Sequence, residues 1–566
     1  HPKYTGNPLV NVGCIGLVRK DLMIHSKAGG VGDIYILAGG RTGRDGIHGV
    51  TFASRDLDAG SEDDLGAVQL GDPITKEPLM HLCLELNEMK LLTGMKDLGG
   101  GGLSCVVGEL ALDAGFGARV DLEKVLLKVE NMPPWEIWVS ESQERMMFTV
   151  DPKNVEKVLS ICKEWDVEAV TIGEVISEKN NIVHYNGTEI LNLDLDFTTG
   201  GPVYKRPFNL PEYDTDKRKI QPIYPTNFND LINELIGKPE VASKDWVIRQ
   251  YDHEVRGKTV LKPIQGPIGK DVHGDSSVLK PVDDSWKGLA LTSDVNPYLM
   301  EANPYHGTMS AVEEVCRNLA SVGARIDSLA DCLCFGNPRK PDIMGQFKAS
   351  CEALKDAAIA VDVPYVSGNV SLYNETAEGA IPPTPVLMGI GLVKDIRKCT
   401  SSDMKKEGSI WIIGETKEEM GASLYYRHLN LESGNVPTTN FEEFMPRMEQ
   451  LIQAIENGEV VACHDISTGG LAISIIEMCM SGVGANIELT TDLRADIELF
   501  SESNGRWVVQ VANGCEEKVA NRFDYAKQIG NVDNDIIFTK EGEIISKLGI
   551  EESRKNWTNP LWNRLA

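Results

Sequence analysis

The chain has 566 residues, of which 42% are hydrophobic and 25% charged, and this length predicts three or four domains. Its net charge of -28 argues against nucleic-acid binding, which normally requires a basic face. The twelve cysteines have no zinc-type C-x-x-C spacing, and no apolar run or signal pattern marks a membrane segment. We therefore expect a cytoplasmic protein with reduced thiols and no membrane span.

The first glycine-rich stretch is TGRDGIHGVTFASRD, from Thr42 to Asp56, which follows the apolar run DIYILAGG. Its glycines fit neither the dinucleotide fingerprint G-x-G-x-x-G nor the Walker loop. Two interpretations stay open: contact with a phosphate or loop closure, and a purely conformational use of glycine. The glutamine of AVQLGDP, Gln69, is by itself typical of a surface residue before a turn.

A second glycine-rich turn follows Asp97 in KDLGGGGL and leads into a helix predicted from Leu103 and closed by Gly115. A carboxylate at a strand end beside the free N–H groups of a helix N-terminus offers a magnesium ligand and a phosphate site. The alternative is an ordinary strand-to-helix turn that uses glycine for close packing.

The polar group Glu141, Ser142 and Gln143 follows the run PWEIWV, which we interpret as a strand. At the end of a strand that faces a cleft, these side chains could hydrogen-bond an amide and a ribose. A solvated strand terminus is the alternative interpretation.

The central part of the chain contains a predicted helix from Met309 to Val322 and two more polar turns. Asp331 in ADCLCFGNP is expected at the edge after a strand. The segment VPYVSGNVSLYNE places Gly368, Asn369 and Ser371 after another strand, where small residues admit a ligand and neutral oxygens can bind a metal ion. Together these turns predict magnesium nucleotide chemistry.

Internal similarity predicts a duplicated module. Residues 131–150 align with residues 492–511 and share S-E-S-x-x-R, and KDLGGGGLSCVVGEL aligns with HDISTGGLAISIIEM. A third pair is GCIGLVRKD, from Gly13, and GIGLVKD, from Gly389. In the second copy Ser467 and Thr468 replace two of the four glycines, which suggests that the copies no longer do the same job.

The positions of these repeats predict one and a half modules, with about 125 residues of the first module absent. We expect an α/β domain at residues 1–200, a linker at 201–240, a barrel-forming domain at 241–395 and a second α/β domain at 396–566. The proline- and charge-rich stretch from Thr198 to Asn227 is the basis for the linker. The predicted fold class is α+β.

The motifs TGRDGIHGVTFAS, VQLGDP, KDLGGGGL, SESQER, SVGARIDSLADCLCFGNP and VSGNVSLYN occur in an order that resembles the large subunit of phosphoribosylformylglycinamidine synthase. The resemblance covers essentially the whole chain. It implies the duplicated two-domain module of the aminoimidazole ribonucleotide synthetase-like superfamily. It also implies an ATP-dependent ligase of purine biosynthesis, in which ATP phosphorylates the formamide oxygen of N-formylglycinamide ribonucleotide and ammonia displaces the phosphate to form the amidine.

The resemblance implies a role for individual residues. Gln69, Glu141, Ser142, Gln143 and Ser371 would contact the substrate, Asp331 and Gly368 would contact ATP, and Asp97 and Asn369 would bind Mg²⁺. The family's catalytic histidine belongs to an E-S-H-N-H-P type motif that this sequence lacks, and the corresponding TSDVNP of the second copy has no histidine. No catalytic residue is therefore predicted in this chain. The implied partners are a glutaminase subunit that supplies ammonia and a small bridging subunit.

Two other functions remain as alternatives. The missing histidine motif favours a non-catalytic, nucleotide-binding scaffold for this polypeptide, whereas Asp97 and SESQER favour the ligase. Selenophosphate synthetase, thiamine-phosphate kinase and a hydrogenase maturation factor are related single-module proteins, so the duplication argues against them.

Overall fold

The computed structural model describes residues 1–47, 69–201, 203–211 and 222–565, and all structural statements refer to these residues. Residues 48–56 of the first glycine-rich stretch lie outside them. The chain divides into two compact units, one formed by Cys14–Lys205 and the other by His1–Gly13 together with Arg206–Ala566. Each unit is described by itself.

The unit Cys14–Lys205 contains a seven-stranded sheet with the order β2-β4-β1-β5-β3-β6-β7. Its strands are β1 (Ile34–Gly39), β2 (Gly94–Asp97), β3 (Gly117–Asp121), β4 (Arg145–Val150), β5 (Ala169–Ile176), β6 (Asn180–Tyr185) and β7 (Thr188–Asp194). Its α-helices are α1 (Pro73–Glu88), α2 (Leu103–Leu112), α3 (Pro134–Val139), α4 (Val155–Glu164) and α5 (Leu195–Gly200).

Alternation along β1 builds one hydrophobic core on each face of this sheet. Tyr35 and Leu37 belong to the core that includes α2 and α3, and Ile36 and Ala38 belong to the core under α1 and α4. Helix α2 ends near Gly115, whose φ of +82° is accessible to glycine at little cost, as the sequence predicts.

The second unit contains a six-stranded and a seven-stranded sheet, with the orders β14-β13-β17-β12-β11-β8 and β19-β21-β18-β22-β20-β23-β24, and two short hairpin sheets. Its strands are β8 (Thr259–Leu261), β9 (Ile264–Gln265), β10 (Val272–His273), β11 (Ser277–Leu279), β12 (Gly288–Asp294), β13 (Arg325–Cys334), β14 (Tyr365–Ser371), β15 (Glu375–Thr376), β16 (Gly379–Ala380), β17 (Thr384–Val393), β18 (Ser409–Ile413), β19 (Val460–Asp465), β20 (Gly484–Leu489), β21 (Trp507–Val511), β22 (Ala526–Asp533), β23 (Ile536–Lys540) and β24 (Glu543–Leu548).

The same unit contains eleven α-helices among its described residues. They are α6 (Phe228–Ile236), α7 (Asp245–Ile248), α8 (Pro297–Ala302), α9 (Pro304–Ser321), α10 (Pro341–Val361), α11 (Leu424–His428), α12 (Phe441–Glu456), α13 (Gly470–Cys479), α14 (Ala495–Phe500), α15 (Glu516–Arg522) and α16 (Ile550–Leu565). Short 3-10 helices in the two units are Pro2–Tyr4, Lys20–Leu22, Leu122–Lys124, Pro152–Asn154, Val255–Gly257 and Ile396–Lys398.

The two seven-stranded sheets have the same topology, strand for strand, because β18 to β24 repeat the order of β1 to β7. Each has antiparallel pairing except for one parallel pair, β3 with β6 and β20 with β23. The predicted duplication and the α+β class are therefore confirmed. The two members of the third sequence pair differ in structure. GIGLVKD begins inside β17, which pairs with β12 and β13, whereas Gly13–Asp21 forms no strand.

Several local predictions were wrong. PWEIWV is helix α3, not a strand, because Pro134 suits the first helical turn and Ile137 packs into the core. Asp331 lies within β13, and Gly368, Asn369 and Ser371 lie within β14, so they do not follow their strands. Part of the predicted linker forms α6, whose Ile232 and Leu235 are fully buried.

The two long helices of the six-stranded sheet cover one of its faces. Helix α9 begins five residues before the predicted Met309 and stops before Gly323, which has a φ of +84°. Within the described residues no helix combines the length and the apolar character needed to cross a membrane.

Candidate functional site

A buried arginine organises the segment S-E-S-x-x-R between α3 and β4. The Arg145 guanidinium donates to the carbonyl oxygens of Ser142 at 2.7 Å and Ser140 at 2.6 Å, and to the Thr42 hydroxyl at 2.9 Å. Burial lowers the pKa of Arg145 to about 10, so the group stays charged near neutral pH. The arginine thereby fixes the backbone that carries Glu141, Ser142 and Gln143.

Glu141 connects this segment to the glycine-rich turn. Its carboxylate accepts a hydrogen bond from the backbone N–H of Gly101 at 3.0 Å through Oε1 and one from the side-chain amide of Gln69 at 2.6 Å through Oε2. The approach is close, because a Cβ on Gly102 would lie 1.9 Å from the Ser140 carbonyl oxygen. Two predicted residues, Gln69 and Glu141, thus lie at the glycine-rich turn that follows Asp97.

The first residues of the TGRDGIHG loop bind the same segment. Ser142 Oγ donates to Asp45 Oδ2 at 2.5 Å and accepts from the Gly43 N–H at 2.9 Å. Lys128 forms an ion pair with Asp45. Gly46 has a φ of +66° and a Cβ there would lie 2.5 Å from Glu141 Cβ, so the described glycines serve the conformation of the loop.

Asp97 and its counterpart Asp465 have different surroundings in the two copies. Asp97 ends β2 with an exposed side chain. Asp465 is 4% exposed, and its Oδ2 accepts a hydrogen bond from Arg317 Nε at 3.1 Å. The first copy therefore presents an accessible carboxylate beside a glycine-rich turn. In the second copy the corresponding carboxylate is buried and is neutralised by Arg317.

The second copy repeats the arginine contacts but not the glutamine contact. Glu502, the counterpart of Glu141, accepts from the backbone N–H groups of Gly469 and Leu424, both at 2.8 Å. Its carboxylate is held by the main chain, whereas Glu141 is held partly by the exposed side chain of Gln69. A side-chain contact can be exchanged for a ligand more easily than a backbone cap.

The remaining predicted residues lie on β13 and β14, which pair in parallel. Asp331 is opposite Gly368, and a Cβ on Gly368 would lie 3.1 Å from Asp331 Oδ1, so the glycine leaves room for that carboxylate. Burial raises the pKa of Asp331. Asn369 is exposed, and its Nδ2 donates to Cys332 Sγ at 3.4 Å.

Strand alternation separates these residues into two groups. Asp331 shares its face with the core residue Leu333, whereas Asn369 and Ser371 share the opposite face with Cys332 and Cys334. Sequence reasoning did not anticipate this separation, because it placed the residues in loops. Gln69, Asp97 and Glu141–Gln143 belong to one compact unit, and Asp331 with Gly368–Ser371 belongs to the other.

Sequence reasoning also missed a buried acidic cluster in the second unit. One oxygen of Asp275, one nitrogen of His464 and one oxygen of Asp465 lie within 4.8 Å of one another, an arrangement that could hold a metal ion. Burial raises the pKa of Asp294 and of Glu313, each to about 7, against the opposing effect of Arg317. The side-chain oxygens Asp294 Oδ2 and Asn318 Oδ1 are buried without a hydrogen-bond partner.

This cluster contains more acidic than basic groups. Six carboxyl groups act on one guanidinium and one imidazole, those of Asp275, Asp294, Glu313, Glu314, Asp465 and Glu477. The residues are separated by up to 190 positions in sequence, as in the hydrogen bond from the Asp465 N–H to Asp275 Oδ2. The sequence signal for this cluster was the alignment of the two copies, in which His464 corresponds to Lys96 and Glu477 to Glu109. His464 forms an ion pair with Glu477, and Lys96 forms the corresponding ion pair with Glu109.

Comparison with protein families defines the class. Residues 30–186 and 405–539 match the C-terminal domain of AIR synthase related proteins, and residues 273–393 match the N-terminal domain. The chain therefore has the AIR synthase-like fold, with two copies of the C-terminal domain and one match to the N-terminal domain.

Whole-chain relatives identify the family. The chain is 38% identical over 565 residues to phosphoribosylformylglycinamidine synthase subunit PurL of Thermoplasma volcanium, covering 99% of this chain and 74% of the relative. It is 40% identical over 547 residues to the Thermococcus sibiricus subunit, covering 94% and 74%. A solved structure of T. maritima PurL complexed with FGAR superposes with a TM-score of 0.67 at 26% identity, covering 91% and 74%. The chain belongs to the PurL family of phosphoribosylformylglycinamidine synthase, an ATP-dependent ligase of purine biosynthesis, and the sequence resemblance is confirmed.

Proposed function

We propose that this chain binds N-formylglycinamide ribonucleotide beside the Glu141 segment and carries the amidine-forming step of its family. In that step the formamide oxygen attacks the γ-phosphorus of ATP and releases ADP. Ammonia then adds to the activated carbon, and loss of phosphate leaves the amidine. The substrate is an amide on a phosphorylated ribose, so its site needs amide-binding groups next to a phosphate-binding turn.

The observation that carries the proposal is the pair of hydrogen bonds that the Glu141 carboxylate accepts, one from the Gly101 N–H of the glycine-rich turn and one from the exposed Gln69 amide. Gln69 and Gln143 present amides, and the turn supplies backbone N–H groups at the start of α2. When the substrate binds, it would take over the hydrogen bond that Gln69 now donates to the Glu141 carboxylate. The Ser142 hydroxyl accepts from the Gly43 N–H and donates to Asp45, so it would exchange one of these hydrogen bonds to contact the substrate.

For ATP we propose contacts with Asp331 and Gly368, as the family resemblance implies. The space above Gly368 is bounded by the Asp331 carboxylate, which would lie in contact with any side chain at that position. Ser371 on the other face would contact the ribonucleotide.

For Mg²⁺ we propose Asp97 and Asn369, which offer a carboxylate and an amide oxygen of the type this ion prefers. Both side chains are exposed, and Asn369 uses only its Nδ2 in a protein contact. Bound Mg²⁺ would neutralise phosphate charge during phosphoryl transfer.

The PurL relatives are named as subunits, so the enzyme works with partner chains. We propose that a glutaminase subunit delivers the ammonia and that a small subunit bridges the glutaminase and this chain.

All twelve cysteines are free thiols, which supports a reducing, cytoplasmic location.

Calorimetric titration tests the substrate site directly. We expect this chain to bind N-formylglycinamide ribonucleotide and Gln69→Ala to weaken that binding, while Gln528→Ala, an exposed glutamine on β22, leaves it unchanged. Failure to bind the ribonucleotide, or equal binding by Gln69→Ala, would contradict the assignment of this site.

Release of ADP with ATP, Mg²⁺, the ribonucleotide and ammonium chloride separates the ligase from a nucleotide-binding scaffold. The scaffold is favoured by the second copy, where Arg317 neutralises Asp465. Ribonucleotide-dependent ADP release would establish turnover by this chain. ATP binding without ribonucleotide-dependent release would assign it the scaffold role.

A further inference from the structure

Cys332 and Cys334 form a pair of thiols on one face of β13. Their Sγ atoms lie 3.8 Å apart, and both cysteines are free. Residues two apart on a strand have Cα atoms about 6.6 Å apart, close to the upper end of the roughly 4.4–6.8 Å that disulfides span. The geometry therefore does not favour a bond between the two sulfurs.

The spacing instead matches two sulfur ligands of one metal ion. Two sulfurs that are each about 2.3 Å from a tetrahedral ion lie about 3.8 Å from each other. An oxygen donor is nearby, since Asn11 Oδ1 lies 3.7 Å from Cys334 Sγ. Cys332 is half-buried and Cys334 is 2% exposed, so an ion would enter past Cys332.

We infer that Cys332 and Cys334 bind a thiophilic divalent ion of the Zn²⁺ or Cd²⁺ type, and that its binding inhibits the ligase. Binding converts two thiols to thiolates, forms two metal–sulfur bonds and releases two protons to solvent. The inhibition, unlike the binding, rests on the proposed function.

The inhibition follows from the residues opposite the pair. Cys332 is in register with Asn369, and Cys334 with Ser371, in the parallel pairing of β13 and β14. Asn369 Nδ2 donates to Cys332 Sγ at 3.4 Å, so an ion on that sulfur takes the position of the amide and turns Asn369 away from its Mg²⁺. Asp331, on the other face of β13, is not displaced.

Cadmium binding provides a test that is independent of turnover. Titration of this chain with Cd²⁺, in competition with a chelator, is followed by the near-ultraviolet absorption of thiolate-to-cadmium charge transfer. We expect one tightly bound Cd²⁺ in the unmodified chain and in Cys399→Ser, a half-buried cysteine of the same unit. Cys334→Ser is expected to weaken this binding at least about tenfold.

Unchanged tight binding of Cd²⁺ in both Cys334→Ser and Cys332→Ser would overturn the metal site. Cys332→Ser is included because Cys334 is buried and its replacement alone could weaken binding by disturbing the fold. The inhibition is tested by the Cd²⁺ concentration that halves ribonucleotide-dependent ADP release, which we expect to rise at least about tenfold in Cys334→Ser. Tight binding without inhibition would support the metal site and overturn its effect on Asn369. Absence of turnover in the unmodified chain would count against the proposed function and not against the metal site.

Discussion

Arg145 and Arg506 make the same three hydrogen bonds at equivalent positions of the two copies. Arg506 donates to the carbonyl oxygens of Ser503 at 2.8 Å and Ser501 at 2.6 Å and to the Thr416 hydroxyl at 2.9 Å. The corresponding contacts of Arg145 end on Ser142, Ser140 and Thr42. The repeated S-E-S-x-x-R therefore reflects one conserved backbone geometry, within which the copies differ at the carboxylate.

This equivalence predicts similar losses of stability and different effects on activity. Arg145→Lys and Arg506→Lys each leave buried acceptors without a donor, and we expect each to lower the free energy of unfolding by about 3 kcal/mol. Only Arg145→Lys should also raise the KM for the ribonucleotide, because only that arginine positions Glu141. Urea unfolding and steady-state kinetics measure the two effects, with the exposed Arg119→Lys as control. An equal rise in KM for both variants would contradict the division of roles.

A second prediction concerns the contact between Gln69 and Glu141. Gln69→Glu places a second carboxylate within hydrogen-bond distance of Glu141 Oε2, where the amide now donates at 2.6 Å. Repulsion should open the contact and raise the KM for the ribonucleotide by about tenfold or more, which corresponds to about 1.4 kcal/mol. The KM for ATP should change little.

Substitution of Gln528 by Glu is the matched control, because it adds the same charge on an exposed position of β22. If both variants changed the ribonucleotide KM alike, the effect would come from net charge and not from the contact.

Features of the fold that depend on a few neighbouring residues could be predicted from the sequence, and short apolar runs could not. The glycine at the end of α2 was predictable, because a positive φ after a helix depends on only a few neighbouring residues. The helix PWEIWV was mistaken for a strand, because a short apolar run has no resolved period.

The site was only partly readable for the same reason. The position of Asp97 at a strand end depends on neighbouring residues and was predicted, whereas the faces of β13 and β14 depend on strand pairing. The acidic cluster joins Asp275 to His464, 189 positions apart, through a hydrogen bond of 2.6 Å. No local pattern reports such a distant contact.

A third prediction tests the space at Gly368. In Gly368→Ala the new Cβ would lie 3.1 Å from Asp331 Oδ1 and 3.2 Å from Asp331 Oδ2, closer than ordinary contact. We expect Asp331 to shift and the KM for ATP to rise by about tenfold, with a smaller change for the ribonucleotide. Gly549→Ala is the control, because a Cβ there meets no atom within 4 Å. Unchanged ATP kinetics in Gly368→Ala would remove Asp331 and Gly368 from the proposed ATP site.

The last prediction concerns acid stability and the ion pair between Glu240 and Arg427. Arg427 Nη1 donates to Glu240 Oε1 at 2.7 Å, and the same guanidinium lies 3.6 Å from the centre of the Tyr298 ring. Burial alone would raise the pKa of Glu240, but the hydrogen bonds from Arg427 and the backbone lower it overall. The unfolded chain therefore binds more protons at this group than the folded chain does near the pKa.

Stability from this ion pair is present at neutral pH and is lost as the pH falls through the lowered pKa of Glu240. At pH 7 we expect Glu240→Gln to have a free energy of unfolding about 1 kcal/mol lower than that of the unmodified chain, measured by urea unfolding. This difference should shrink below about pH 4. The exposed Glu543→Gln should match the unmodified chain throughout. A Glu240→Gln deficit that stayed constant down to acidic pH would show that the side chain contributes through packing and not through its charge.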